Sequence, residues 1–215
     1  MGGDEATNDV VAYRYDGVEW SEVFRSPVEQ LSSVHWPEKV WVSGNGEVFA
    51  ISQDYLLHYD GTTWTTRTAT DLGATREGGS PLVLQDIWGS SATDVFVVGD
   101  RFSEPYVLHF DGSDWTAQFF DRGSSSVVAP PLVSVWGFSG GEVFAATDDA
   151  FADSGTCNVV LAYDGSQWHG ASAPCVARLG YLDVHGVPSS DVFLFSQGGR
   201  NPFGHGGGFI LHGQP

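Results

Sequence analysis

IWGSSATDVFVVGDRFSEPYVLHFDGSDW, Ile87–Trp115, is a complete copy of a unit that the chain repeats. Its first half recurs as VWVSGNGEVFAIS from Val40, VWGFSGGEVFAAT from Val135 and VHGVPSSDVFLFS from Val184. The anchors of the four copies are Trp41, Trp88, Trp136 and His185, spaced by 47, 48 and 49 residues. Each anchor lies seven residues before a Val-Phe pair, and an acid (Glu47, Asp94, Glu142, Asp191) stands before each pair. The second half is an aromatic-Asp-Gly-x-x-Trp segment, ending at Trp20, Trp64, Trp115 and Trp168. A last partial copy, FILHG, ends at Gly213.

Each unit reads as four strands, A to D. A ends at the anchor, B carries Val-Phe, C is the LLHY type and D carries the hairpin Trp. Asp-Gly is a turn signal because glycine reaches positive φ without steric cost. Val95–Val98 is apolar throughout, as a strand covered on both faces must be. TTWTTRT alternates and is rich in Thr, which suits a wet outer strand. Buried inner strands, a wet outer strand and a period near 48 define blades, and the chain is expected to be an all-β propeller of four-stranded antiparallel blades, about four of them.

The Trp-Gly-Ser, Asp-Val-Phe and Tyr-Asp-Gly-x-x-Trp motifs resemble those of secreted bacterial β-propeller repeat proteins. More distantly, they are similar to tachylectin-like and Asp-box propellers. The resemblance runs from Val11 to His212 and departs from an Asp-box in the spacing of acid, Gly and Trp. It therefore implies a fold and a sugar-binding precedent, and does not carry over sialidase chemistry.

Composition narrows the classes. The chain has 215 residues, enough for one domain with a sizeable core. No long helical periodicity occurs, and 28 Gly and 10 Pro punctuate the sequence. Twenty-seven acids against nine bases give −18, which argues against nucleic acid or an anionic membrane as partner, since both need a basic patch. No apolar stretch is long enough to span a bilayer, and the start lacks a basic-then-apolar export segment. Residues 1–9 are polar and are expected to be an unstructured start or linker, with 10–215 as one domain.

Cys157 and Cys175 bear on the compartment. Both lie about residue 166, inside the DGSQ turn, so a hairpin there sets them opposite one another at disulfide range. A disulfide implies an oxidising compartment, periplasmic or extracellular.

The ends raise a question of closure. Val10–Phe24 supplies C and D strands with no A or B, and the last copy lacks D. A blade shared by the two ends would close the ring, and closure is left open at this point. The difficulty is that both ends bring a C strand. Pairing elsewhere, a longer propeller, or strand exchange between chains in a homo-oligomer would resolve it.

Loop lengths distinguish the two faces of the propeller. The A–B and C–D separations are 7 in every copy, whereas Val-to-Leu across B–C runs 9, 13, 18 and 19, and Trp-to-anchor across D–A runs 21, 24, 21 and 17. All the variation falls on the face bearing the B–C and D–A loops, where binding commonly resides. Candidate binding residues there are Asp100 and Arg101, then Asp148, Asp149 and Asp153, then Arg200, Asn201 and His205. The acidic DDAFAD loop offers oxygen ligands for Ca²⁺ but lacks calcium-loop spacing.

Other recurring residues have plainer readings. The acids before Val-Phe would ring the axis; a cation could sit there, but acceptance of backbone N–H groups at the turn is preferred. His58, His109 and His212 fall in different blades, too far apart for zinc. Trp64, Trp115 and Trp168 read as packing between blades, and secondarily as platforms for sugar rings. No ordered catalytic constellation stands out. The expectation is a non-catalytic extracellular module that binds a glycan or a cell-surface partner. A polysaccharide-acting enzyme and a structural module are the alternatives.

Overall fold

The computed structural model describes residues 2–4, 9–27, 35–68, 70–72, 83–101, 104–118, 131–147, 160–171, 179–187, 191–198 and 208–213. These residues are all-β, in five antiparallel sheets. An N-terminal sheet holds β1 (Gly2–Asp4), β2 (Asp9–Tyr15) and β3 (Trp20–Pro27). The first blade is β4 (Lys39–Val42), β5 (Val48–Ile51), β6 (Tyr55–Tyr59) and β7 (Trp64–Thr68). The second is β8 (Val83–Ser91), β9 (Asp94–Arg101), β10 (Glu104–Phe110) and β11 (Trp115–Gln118). The third is β12 (Leu132–Ser139), β13 (Glu142–Thr147), β14 (Val160–Tyr163) and β15 (Trp168–Ala171). The fourth is β16 (Leu179–Val187), β17 (Asp191–Gly198) and β18 (Gly208–Gly213). Every sheet is a simple meander in chain order, and the inner strands β4, β8, β12 and β16 are successive neighbours. This is the propeller that the repeat predicts, with the strand roles A to D falling where the motifs place them.

Strand B of the second blade is covered on both faces: Val95, Phe96, Val97 and Val98 are each 0% exposed. Alternate residues enter two different cores. Phe49 and Ile51 face forward, onto Leu108, Phe110 and Trp115 of the next blade. Phe96 and Val98 likewise face Leu161, Tyr163 and Trp168. Each blade thus has a forward face and a backward face, set by the period of two along a strand.

The inner strands interlock by a specific device. Trp41 lies over Gly89, Trp88 over Gly137 and Trp136 over Gly186, so each anchor rests on the residue after the next anchor. A Cβ on Gly89 would come within 2.8 Å of the Trp41 ring, and one on Gly137 within 2.7 Å of Trp88. The Gly of the Trp-Gly motif is therefore a seat for the preceding blade. The first blade has Val42 at this position, where the N-terminal sheet supplies no inner strand above it.

The structure bears on both ends of the chain. Gly2–Asp4 is not an unstructured start: it pairs with Asp9–Val11 on the side of β2 where a B strand belongs, satisfying an edge that would otherwise be unpaired. Among the described residues, the closure left open by the sequence is not made by a shared blade. β18 pairs with β17, and β2 with β1 and β3, in separate sheets. Each end carries its own C strand, and each has recruited its own neighbours. The N-terminal sheet packs instead on the first blade, through Val10 and Phe24 against Leu57 and Trp64. No helix among the described residues is long and apolar enough to cross a membrane.

Candidate functional site

The two ends of the blades differ in construction. On one, the C–D turns are four residues each (16–19, 60–63, 111–114, 164–167). Their glycines have φ of 104°, 94°, 94° and 90°, which only glycine adopts freely. Each Asp accepts the N–H groups two and three residues ahead through one oxygen, at 2.8–2.9 Å. These bonds hold Asp16, Asp60 and Asp111 below the usual carboxylate range. The Ser166 hydroxyl, added to the backbone donors, holds Asp164 at about 2. The hairpin acids are structural, as the turn chemistry implies.

Two of the acids before Val-Phe, Glu47 and Asp94, have an imidazole partner in place of the expected backbone N–H. Glu47 Oε2 lies 2.9 Å from His58 Nε2, and Asp94 Oδ1 lies 2.6 Å from His109 Nε2. Each imidazole stacks on the Phe opposite it on the adjacent strand, at 4.0 Å for Phe49 and 4.3 Å for Phe96. His58 and His109 are thus cross-strand partners of their own blades' acids. The third blade has Ala162 opposite Phe144 instead. Asp94 also reaches Ser90 and abuts Gly140 of the next blade.

A polar line along the inner strands went unread in the sequence. It uses the residue two before each anchor: Lys39, Asp86, Ser134 and Asp183. Lys39 Nζ is 3.4 Å from Asp86 Oδ1, and Asp86 Oδ2 accepts the Val135 N–H at 2.9 Å. Ser134 Oγ donates to Asp183 Oδ1 at 2.8 Å and accepts the Val184 N–H at 3.1 Å. Burial pushes the Asp86 carboxyl above its usual range, against the pull of Val135 and Lys39. The four equivalent positions were the available signal.

The opposite end of the blades carries the variable connections. B–C links hold 3, 2, 12 and 9 residues (52–54, 102–103, 148–159, 199–207), and D–A links hold 11, 14, 13 and 7 (28–38, 69–82, 119–131, 172–178). In the first blade the B–C turn is closed by Ser52, whose hydroxyl meets Asp54 Oδ1 at 2.9 Å, while the buried Tyr55 hydroxyl donates to the His35 carbonyl at 3.0 Å. Tyr55 ionises well above its ordinary range because it is buried.

In the second blade, Asp100–Glu104 is not the long loop expected. Asp100 pairs with Pro105 and Arg101 with Glu104, so the extra length lengthens the hairpin. Asp148, Asp149, Asp153, Arg200, Asn201 and His205 lie outside the described residues, as do Cys157 and Cys175.

The outer Trp residues resolve toward packing. Trp168 is 1% exposed and its Nε1 donates to Gln118 Oε1 at 3.0 Å, so it has no face left for a sugar ring. Trp64 Nε1 donates to the Val23 carbonyl at 3.1 Å and its ring lies 5.0 Å from Phe24. Trp115 packs on Phe110 in the core between the first and second blades.

Uniform turns on one end of rigid blades and variable connections on the other define a β-propeller of the kind whose loop face is free to diversify. Solved structures share the fold. The extracellular domain of a one-component system from B. thetaiotaomicron matches 87% of this chain at 10% identity, TM-score 0.56. YCF48 from Cyanidioschyzon merolae matches 95% at 12% identity, TM-score 0.61. YCF48 bound to D1 peptide matches 95% at 14% identity, TM-score 0.57. This chain spans 24%, 63% and 58% of those three chains. No protein-family model matches the sequence, and no curated protein does.

Proposed function

We propose that the chain is a non-catalytic binding module of the periplasm or cell exterior. It recognises a glycan or a cell-surface partner through the B–C and D–A face. The observation that carries this reading is the contrast between the two ends: four-residue C–D turns bonded identically in four copies, against B–C links of 2 to 12 residues. A scaffold that holds its loops rigidly while their length and chemistry vary is built for recognition. The Asp100–Arg101 hairpin, the acidic Asp148, Asp149 and Asp153 and the Arg200, Asn201 and His205 segment are the proposed contacts. Calcium held by the acidic loop would supplement them. A protein partner is the second reading, and the peptide complex of a chain with this fold supports it.

The test is a glycan array probed with the purified chain, with and without Ca²⁺, followed by the strongest ligand against loop variants. Binding that is lost on Asp148→Asn with Asp149→Asn, or on Arg200→Ala, and kept on Thr62→Ala in a C–D turn is expected. Binding insensitive to every loop change would overturn the assignment of the face. Release of sugar fragments from a bound polysaccharide would replace the module with an enzyme.

A further inference from the structure

The backward face of the N-terminal sheet has no neighbour among the described residues that covers it. Tyr13, Tyr15 and Trp20 are 53%, 51% and 68% exposed. By repeat position they match Leu108, Phe110 and Trp115 of the second blade and Leu161, Tyr163 and Trp168 of the third. Those two sets lie against the forward face of the blade before them. At the other end, Val187 and Phe195 on the forward face of the fourth blade are 48% and 39% exposed. Phe195 matches Ile51 and also Val98, which fill those same cores. The two open faces are therefore the two halves of the junction that the chain already makes internally.

The inner strands agree with this match. The fourth anchor is His185, where a Trp would need a glycine seat ahead of it. Among the described residues the N-terminal sheet has no inner strand to offer one. A polar anchor is the residue that such a seatless junction tolerates.

We propose that a second copy of this chain docks head to tail, with the Val187–Phe195 face of one copy on the Tyr13–Tyr15–Trp20 face of the next. The contact continues the blade-to-blade interface. Because its two sides differ, the contact is heterologous: it builds a closed ring where the blade-to-blade rotation closes and an open array where it does not. The charge of −18 opposes it at low ionic strength and is screened as salt rises.

Sedimentation velocity of the 215-residue chain across a wide concentration range provides the test. The weight-average mass should climb with concentration, and climb further on raising salt from about 0.05 M to about 0.5 M, where the Debye length is far shorter. Trp20→Asp and Phe195→Asp should each remain monomeric alone. Mixed one to one, they should form complexes of two chains and no larger, since each variant keeps the face the other has lost. Trp20 is exposed, so Trp20→Asp should keep the wild-type unfolding midpoint, and Tyr13→Glu should repeat its effect. A wild-type chain that is monomeric throughout would overturn the proposal, whether its ends close on each other or stay apart. So would a mixture that behaves like its separate components.

Discussion

Gly137→Ala puts a methyl group into the seat of Trp88. The added Cβ would sit 2.7 Å from Trp88 Cη2, 2.8 Å from Cζ3 and 2.9 Å from the Glu142 carbonyl oxygen. All three are closer than carbon contacts allow, and neither a packed indole nor a strand carbonyl moves cheaply. Overpacking of this kind costs about 1–3 kcal/mol. The figure is measured by urea unfolding followed by circular dichroism, and appears in a thermal scan as about 2–4 °C per kcal/mol for a chain of this size.

Two further variants isolate the cause. Gly170→Ala, where nothing lies within 4 Å of the new Cβ, should be neutral or slightly stabilising, since the unfolded chain loses freedom. Trp88→Leu alone should cost about 2 kcal/mol, at the low end for loss of a large ring because the indole is only partly buried. With Gly137→Ala added, the smaller anchor leaves room for the methyl group. The double variant should therefore be more stable than the sum of the singles by about 1 kcal/mol or more. Gly137→Ala within about 0.5 kcal/mol of wild type, or strict additivity, would refute the seat.

Acid should act on stability with two opposed signs. The turn aspartates Asp16, Asp60, Asp111 and Asp164 have lowered folded-state pKa values, so their contribution is present above the unfolded carboxylate range and is lost as pH falls toward about 2, the value for Asp164. Asp86 is raised, so its charged form opposes folding above its pKa and protonation relieves that opposition. Asp86→Asn should therefore stabilise at neutral pH and lose that advantage in acid, as read from urea midpoints; an advantage that grows in acid would contradict the assignment. For Cys157 and Cys175, thiol titration of the unreduced, denatured chain should find no free thiol. Two reactive thiols would rule out their disulfide.

The blades were legible because their code is local and repeated. Asp-Gly, Val-Phe and the anchors each fix a turn, a buried strand or a register by their immediate neighbours. Other relations join residues far apart in the chain. The seat of Trp88 is Gly137, and the partner of Asp86 is the backbone of Val135; both are visible only once neighbouring blades are set side by side. His58 and Glu47 were each conspicuous, yet their pairing depends on Phe49 standing opposite His58 in the ladder.

Surplus length was the least legible feature. Between Val95 and Leu108 it could become loop or strand, and pairing of Arg101 with Glu104 decided for strand. The start of the chain shows the same limit. GGD has poor strand propensity, and only the open edge of β2 made it a strand.

The Trp-over-Gly seat also constrains how such a gene can grow. Any repeat that begins with a glycine seat and ends with a tryptophan anchor fits between any two others, so unequal crossover within the array adds or removes whole blades without breaking an interface. The repeats of Val42 and His185 lie outside this exchange, because Val42 offers no seat and His185 no indole. Duplication is therefore permitted between them. Lineages should differ in the number of blades that separate a seatless repeat from one without an indole.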